Sequence, residues 1–359
     1  MTANPSLSII VPVRNGGAAF VRCLGALKSS EADDFELIVV DDGSTDSSAS
    51  LATSHAARLI AIDRRPQTVD RLPLSAGPAV ARNLGARTAR GDVLVFIDAD
   101  VAVHRNTIGL VSRAFAADAE LTAAFGSYDD QPADRGFLSQ FKNLFHHYVH
   151  QQARDEASTF WAGFGAIRRS AFLAVGGFDE VTYQRPSIED IDLGYRLARR
   201  GAKIRLFKDW QVTHLKRWTL GGLLRTDIFD RGVPWTRLLW RESRHADTEK
   251  RPFRLDLNLQ TSNRVSVVCI YLLGASLLGA AFFPVLFTAG PFLAAALAWL
   301  NRDLYRFFTR RRGWAFAVTA LIFHWLYYLY NGVSFALGTL AYLRDGAPRV
   351  APDGSWVAD

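Results

Sequence analysis

Residues 92–100 read DVLVFIDAD: the apolar run Val93–Ile97 is followed at once by two carboxylates, Asp98 and Asp100. The run is short and rich in β-branched and aromatic residues, so it predicts a strand over 92–97 with both faces covered. Three runs upstream repeat the pattern. Leu7–Val13 (LSIIVPV) ends before Asn15-Gly16-Gly17, Phe35–Val40 (FELIVV) ends at Asp41-Asp42-Gly43, and Leu59–Ile62 is a weaker version. Ala-rich amphipathic segments lie between them at Ala18–Ser29, Ser47–Ala57 and Pro78–Ala89. Strands alternating with helices over short connections predict βαβ units, hence an α/β, Rossmann-like domain with a mostly parallel sheet. Such sheets take ligands outside the carboxyl ends of their strands. The acidic clusters fall at those ends.

Asp98 and Asp100 are two apart at a strand end, which points both side chains to one face and Ala99 to the other. Two oxygen ligands so placed suit a hard divalent cation, Mg²⁺ or Mn²⁺, that keeps its remaining positions for water and phosphate oxygens. Such an ion would neutralise a diphosphate leaving group. The plainer alternative is a solvated acidic turn. At 41–46 (DDGSTD) a carboxylate can accept from a base N–H or a ribose hydroxyl. Ser44 or Thr45 as N-cap with Asp46 in the first turn is the competing use.

The next part of the chain is less regular. Thr159–Arg168 reads as strand and glycine turn, Ser187–Arg200 as a helix stopping before Gly201, and Lys203–Phe207 as a short strand. Trp218–Trp240 mixes Leu, Trp and Arg at helical spacing, as interfacial helices do. Val265–Leu300 carries no charge and exceeds one ordinary span of ~20 residues. Pro284 and Gly290-Pro291 allow a break, so a helical hairpin is expected, with re-entrant or interfacial helices as the alternative. Trp314–Leu343 is a further stretch long enough to span with tilt.

The net charge of +7 is concentrated beside these apolar runs, at Arg199-Arg200, Arg251, Arg254, Arg264 and Arg310–Arg312. That placement favours the cytoplasmic face of a membrane over a nucleic acid, for which no basic-aromatic module is present. The segment 301–313, with Arg302, Arg306, Arg310, Arg311 and Arg312 against Asp303, is expected as a cytoplasmic loop. The organisation predicted is a catalytic domain over 1–217, amphipathic interfacial helices over 218–262, about three spans over 263–345, and a polar tail over 346–359. Cys23 and Cys269 form no disulfide framework, and Met1–Ser8 carries no signal peptide, so the catalytic domain is expected in the cytoplasm against the inner membrane.

Taken in order, residues 8–15 (SIIVPVRN), 39–46 (VVDDGSTD), 81–85 (ARNLG), Gly91-Asp92 and 96–100 (FIDAD) resemble glycosyltransferase family 2. The resemblance covers roughly residues 6 to 220. It implies a GT-A fold, a nucleoside-diphosphate-sugar donor, a divalent metal and inversion at the anomeric carbon. By the same resemblance Pro12 and Asp42 line the base site, Arg82 and Asn83 lie near the nucleotide, Asp98 contacts ribose or metal, and Asp100 binds the metal. Residues 176–180 (GGFDE) resemble the family's acceptor-side loop, with Phe178 and Asp179 as contacts. Glu189-Asp190, followed by 193–197 (LGYRL), resembles the motif supplying the catalytic base, assigned to Asp190, with Glu189 a candidate contact to the acceptor or diphosphate. Ser187-Ile188-Glu189-Asp190 also fits an Asp variant of a capping box.

Residues 214–218 (HLKRW) resemble the Gln-x-x-Arg-Trp element of processive synthases, with His214 in place of glutamine. The resemblance makes His214 a candidate metal ligand. Arg217 can hold a diphosphate, and Trp218 can stack on an acceptor sugar or lipid head group. An amphipathic interface segment is the competing account. His146, His147 and His150 have helical spacing but lie among Phe141, Leu144, Phe145 and Tyr148, which favours an aromatic helix over a zinc site. Gly163-Phe164-Gly165 lacks the third glycine of a dinucleotide loop, so a dehydrogenase is excluded. The expectation is an inverting transferase that moves a sugar to a membrane-associated, lipid or lipid-linked acceptor. A processive polysaccharide synthase and a silent nucleotide-binding scaffold are the alternatives.

Overall fold

The computed structural model describes residues 5–55, 57–62, 76–244 and 261–345, together with two short paired strands, Arg349–Val350 and Trp356–Val357. Arg251, Arg254, the remainder of the expected interfacial segment at 245–260, and most of the expected tail lie outside the described residues. The chain divides into two compact units, Met1–Trp218 and Thr219–Asp359.

The first unit runs β1 (Leu7–Val13), α1 (Gly17–Lys28), β2 (Phe35–Asp41), α2 (Ser48–Ser54), β3 (Arg58–Ala61), α3 (Pro78–Thr88), β4 (Val93–Ile97), β5 (Val101–Val103), α4 (Thr107–Ala117), β6 (Leu121–Tyr128), α5 (Phe137–Gln152), β7 (Phe164–Arg168), α6 (Arg169–Ala174), α7 (Glu189–Arg199) and β8 (Lys203–His214). The eight strands form one sheet in the order β3-β2-β1-β4-β7-β6-β8-β5. Its β3-β2-β1-β4 half is parallel, as the βαβ pattern predicts, because each crossover returns the chain to the end of the sheet where the previous strand began. Beyond β4 the sheet is mixed: β7 lies antiparallel to both β4 and β6, and β5 antiparallel to β8. Both faces are buried, which accounts for strands such as β4, every residue of which is buried.

Two elements differ from expectation. The strand expected over Lys203–Phe207 continues to His214. Its first half pairs with β6 from Leu121↔Lys203 to Phe125↔Leu206; after a bulge it pairs Ser127↔Gln211, then meets β5 with Val101 opposite His214. Lys208, Asp209 and Gln211 interrupt the apolar pattern there, so alternation ends before the strand does. The helix expected from Ser187 begins at Glu189.

In the second unit α8 (Leu220–Arg225), a π-helical turn (Thr226–Gly232) and α9 (Val233–Ser243) follow one another without a break. After them come α10 (Thr261–Gly279), a 3₁₀ turn (Pro284–Thr288), α11 (Ala289–Leu300), α12 (Arg302–Arg312) and α13 (Trp314–Asp345). The expected break falls at Pro284, and α10 packs against α11. The arginine-rich segment expected as a loop is the helix α12, because Leu304 and Phe308, one turn apart, bury a stripe on it. Among the described residues one helix, Thr261–Gly279, is long and apolar enough to cross a membrane, or up to two if the pair Pro284–Leu300 and Arg302–Arg312, bent by 66°, counts as one span.

Candidate active site

Strand β4 delivers Asp98 and Asp100 into a tight turn. The Asp98 N–H donates to the Gly163 carbonyl at 3.2 Å, and its own carbonyl accepts from Val101 N–H at 3.0 Å, where β5 begins. The two acidic side chains are about equally open, at 34% and 33% exposure. The extension of β8 places His214 beside them: its Nε2 lies 3.9 Å from Asp100 Oδ2, and its ring stacks on Tyr128 at 4.1 Å. Desolvation in the crowded site, and then the charge of Asp98, raise the Asp100 carboxyl above the usual carboxylate range, while Lys216 and Arg82 pull it down.

Asp98, Asp100 and His214 are thus brought to one place. Among the described residues, however, no three His, Cys, Asp or Glu side chains stand close enough to form a ready-made metal cage. The donor set still fits a Mg²⁺- or Mn²⁺-type ion, which takes one or two carboxylates and completes its shell with water and phosphate oxygens. Asp100 is the carboxylate in the better position to hold it, since Asp98 Oδ1 already accepts a short bond from Arg82.

Arg82, on α3, is buried at 5% exposure. Its Nη2 donates to Asp98 Oδ1 and its Nη1 to Glu189 Oε1, both at 2.7 Å. The ring of Phe178 lies 5.5 Å from the guanidinium carbon. Burial alone would lower the Arg82 pKa; the charges of Asp98 and Glu189 outweigh it and raise it. Glu189 is itself buried, and its Oε2 accepts from Ser187 N–H at 2.9 Å. Sequence reasoning placed Arg82 beside the nucleotide and Glu189 on the acceptor side. The structure joins them to each other.

Asn83, the next residue, is tied to the loop before α7. Its Oδ1 accepts from Phe178 N–H at 2.9 Å, and its Nδ2 donates to the Phe178 carbonyl at 2.8 Å. This close approach requires Gly177, which sits at φ +73° and where a Cβ would stand 2.5 Å from Asn83 Oδ1. Phe178, expected as an acceptor contact, is 1% exposed and packs against Phe96 and Phe172. Its aromatic surface is worth more in the core than at a rim. Asp179 Oδ1 closes the following turn by accepting from the N–H groups of Val181 and Thr182.

Asp42 stands at the end of β2, buried, with Oδ1 accepting from Ala76 N–H at 3.0 Å and Oδ2 from Gly77 N–H at 3.2 Å. It thereby fixes the approach to α3. Pro12 is half-buried in β1, in register with Val40. The neighbouring loops are cross-linked: Asn15 N–H donates to Ser44 Oγ, Thr45 N–H to Asn15 Oδ1, and Gly17 N–H to Asp46 Oδ2. Of the capping alternatives, Asp46 Oδ1 accepts from Ser48 N–H in the first turn of α2, whereas Ser44 serves the β1–α1 loop.

Asp190 opens α7 one residue beyond Glu189. Its Oδ2 accepts from Ala162 N–H at 3.0 Å. The backbone of residues 162–163 therefore touches both Asp190 and Asp98, a link the sequence offered no signal for. Arg217 is exposed; Trp218 is buried at 8% exposure, its main-chain N–H donating to Ser139 Oγ and Lys216 lying over its ring. The structure brings together Arg82, Asp98, Asp100, Glu189, Asp190 and His214. Asn83, Phe178 and Asp179 serve as the packing and turn residues behind them. The α5 histidines face β6: His147 Nδ1 bonds the Tyr128 carbonyl and His150 Nδ1 the Gly126 carbonyl.

Residues 8–176 match the model for glycosyl transferase family 2. They form a family 2 glycosyltransferase domain. Validoxylamine A glucosyltransferase of Streptomyces hygroscopicus subsp. jinggangensis is 29% identical over 238 residues, covering 58% of this chain and 55% of that protein. Glycosyltransferase GlyG of Streptococcus pneumoniae is 27% identical over 169 residues, covering 46% and 54%. The chain thus spans about half the length of these curated relatives. Among solved structures, a mannosyltransferase from Pyrobaculum calidifontis, in complex with GDP-Man and Mn²⁺, superposes with a TM-score of 0.58 at 19% identity, covering 89% of this chain and 87% of that one. That likeness establishes the fold, the GT-A architecture implied by the sequence motifs.

Proposed function

We propose that the chain is an inverting glycosyltransferase that moves a sugar from a nucleoside-diphosphate-sugar donor onto a membrane-associated acceptor, lipid or lipid-linked. The observation that carries this reading is the convergence of Asp98, Asp100 and Asp190 at the carboxyl end of β4, on a family 2 domain. Asp190 serves as general base. The acceptor hydroxyl attacks the anomeric carbon opposite the diphosphate, its proton passes to a carboxylate oxygen of Asp190, and the nucleoside diphosphate departs. The Ala162 N–H holds Asp190 in place for that transfer. Asp100, with Asp98 and His214 alongside, would hold a Mg²⁺ or Mn²⁺ ion, whose chemistry is to neutralise the departing diphosphate. The Mn²⁺ and GDP-Man bound in the Pyrobaculum structure support both the ion and the class of donor.

The membrane part of the proposal rests on the second unit, where Leu278, Phe282, Phe292 and Trp314 are each at least 74% exposed. Apolar surface of that kind is stable in lipid and costly in water. The catalytic unit is placed, in this reading, on the cytoplasmic side of the inner membrane. Single transfer is favoured over processive synthesis because His214 replaces the glutamine of the synthase element.

A donor screen in native membranes, with labelled nucleotide sugars and Mg²⁺ or Mn²⁺, tests the whole. The expected result is a labelled product extractable with the lipid fraction, migrating as one species on chromatography. Absence of nucleoside-diphosphate binding by the purified chain in the presence of either ion would overturn the reading; a ladder of products would replace single transfer by polymerisation.

A further inference from the structure

We propose that Arg82 is a positioning residue that sets the register between the donor-side carboxylate Asp98 and the base Asp190, and not a nucleotide contact. The inference rests on the glycosyltransferase reading above. It starts from how the guanidinium is held at its two Nη atoms. One Nη meets Asp98 and the other meets Glu189, each at 2.7 Å, and the Phe178 ring stands against the group. A planar guanidinium presents its donors in a fixed fork, so two carboxylates bound to its two Nη atoms are fixed relative to each other as well. Asp98 comes from the end of β4, and Glu189 from the first turn of α7, next to Asp190. Arg82 is thus the side chain through which these two elements, 91 positions apart as Asp98 and Glu189, share a single rigid group.

The third side of the guanidinium is built by its chain neighbour. Asn83 clamps the main chain of Phe178, and Phe178 covers Arg82. Two consecutive residues of α3 therefore close one circuit: Arg82 to Glu189 and Asp98, Asn83 to the loop that supplies Phe178. Burying a guanidinium is costly unless it is paired, and here the buried Nε–H has no hydrogen-bond partner among the described residues, so the two Nη contacts carry the pairing. Here the pairing goes to residues flanking both halves of the reaction and not to a remote structural acid. With both Nη atoms committed and only 5% of the residue exposed, Arg82 has little to offer a nucleotide directly.

A lysine keeps the charge but cannot bridge two carboxylates in a plane. Arg82→Lys in the full-length chain is therefore expected to lower kcat about 100-fold, the scale of a misplacement of about 1 Å. Its KM for the donor found in the screen, and its affinity for the matching nucleoside diphosphate with Mn²⁺, should stay close to wild type. Added guanidinium chloride at millimolar concentration should restore part of the turnover of Arg82→Ala. A direct nucleotide contact would show the reverse: a raised donor KM and weakened nucleoside-diphosphate binding with kcat preserved. That pattern, or full turnover by Arg82→Lys, overturns the proposal. Should the Arg82 variants fail to fold, Glu189→Gln provides the second reading: it keeps an acceptor for Nη1, and a kcat loss at unchanged donor KM supports positioning, while an unchanged kcat overturns it. If wild type turns over no donor while binding no nucleoside diphosphate, the function itself has failed, a result distinct from every variant pattern above.

Discussion

The two units of this chain place their large apolar side chains differently. In Met1–Trp218 the buried residues are strands of Ile, Val and Leu with a cluster of Phe96, Phe160, Phe172 and Phe178, and charge enters only where it is paired. In Thr219–Asp359 large apolar residues stand exposed beside the arginines, among them Phe282 at 80% and Leu278 at 77%, while Ser266, His324 and Ser334 are buried at 0–2%. Its interior is laced by hydrogen bonds: Tyr328 OH donates to Asn301 at 2.7 Å, Asn301 to Ser266, and Tyr330 OH to Asp227 at 2.7 Å. A chain in water is stabilised by hiding apolar surface, whereas helices in lipid gain nothing by that and associate through close packing and hydrogen bonds. The contrast supports the proposed membrane association of the second unit.

The largest expected effect sharpens the contrast in chemistry. Asp190→Asn should reduce transfer by about 10³-fold with the apparent melting temperature unchanged, since a general base contributes 10²–10⁴-fold. Steady-state kinetics alongside thermal melts in detergent check it. If Asp100→Asn abolished transfer while Asp190→Asn did not, the base would be misassigned. The next effect separates the two kinds of apolar surface. Phe96→Ala should destabilise the first unit by about 4 kcal/mol, as a buried aromatic truncation does. Phe282→Ala, on the exposed surface of the second unit, should stay within about 0.5 kcal/mol. Equal losses would break the comparison.

His150 gives a pH test confined to the first unit. Burial pushes its imidazole down to about 4, with the Gly126 carbonyl opposing that and the charge of His147 adding to it. Unfolded, the same ring titrates near 6.5, so between about pH 6.5 and 4 the unfolded chain binds a proton that the folded chain refuses. This residue's share of stability should therefore fall as pH drops through that window, by roughly 3 kcal/mol in all, and level off below it. Melts of wild type against His150→Gln measure it; parallel curves would refute the assignment. The smallest loss expected of a buried position probes the polar interior of the second unit. Tyr330→Phe, which removes the bond to Asp227, should cost about 2 kcal/mol, the scale of a hydrogen bond to a charged group. Turnover per folded molecule should be unaffected.

How much of the site was legible depends on whether its logic is local. Asp98 and Asp100 could be found because a short apolar run ending in acids is a strand end, and strand ends are where such sheets bind ligands. Asp190 could be found through its motif. The partners of Arg82 could not, because Glu189 lies 107 positions away and nothing in residues 81–85 indicates a carboxylate on both sides. Phe178 and Asp179 stand in a recognisable loop, but composition does not say that the aromatic ring turns inward. The position of His214 was hidden by Lys208, Asp209 and Gln211, which disguise the second half of β8.

The sequence by itself determined the parallel half of the sheet, the acids at its carboxyl edge and the change from a soluble pattern to an apolar one after residue 260. These follow from periodicity and local sterics, which act over a few residues. Only the tertiary structure decided that the far half of the sheet is mixed, that α12 is a helix, and that one buried guanidinium binds Asp98 and Glu189 together. Pairing between distant segments is set by packing and by the cost of burying charge unpaired, and both depend on neighbours that the chain brings together only when it folds.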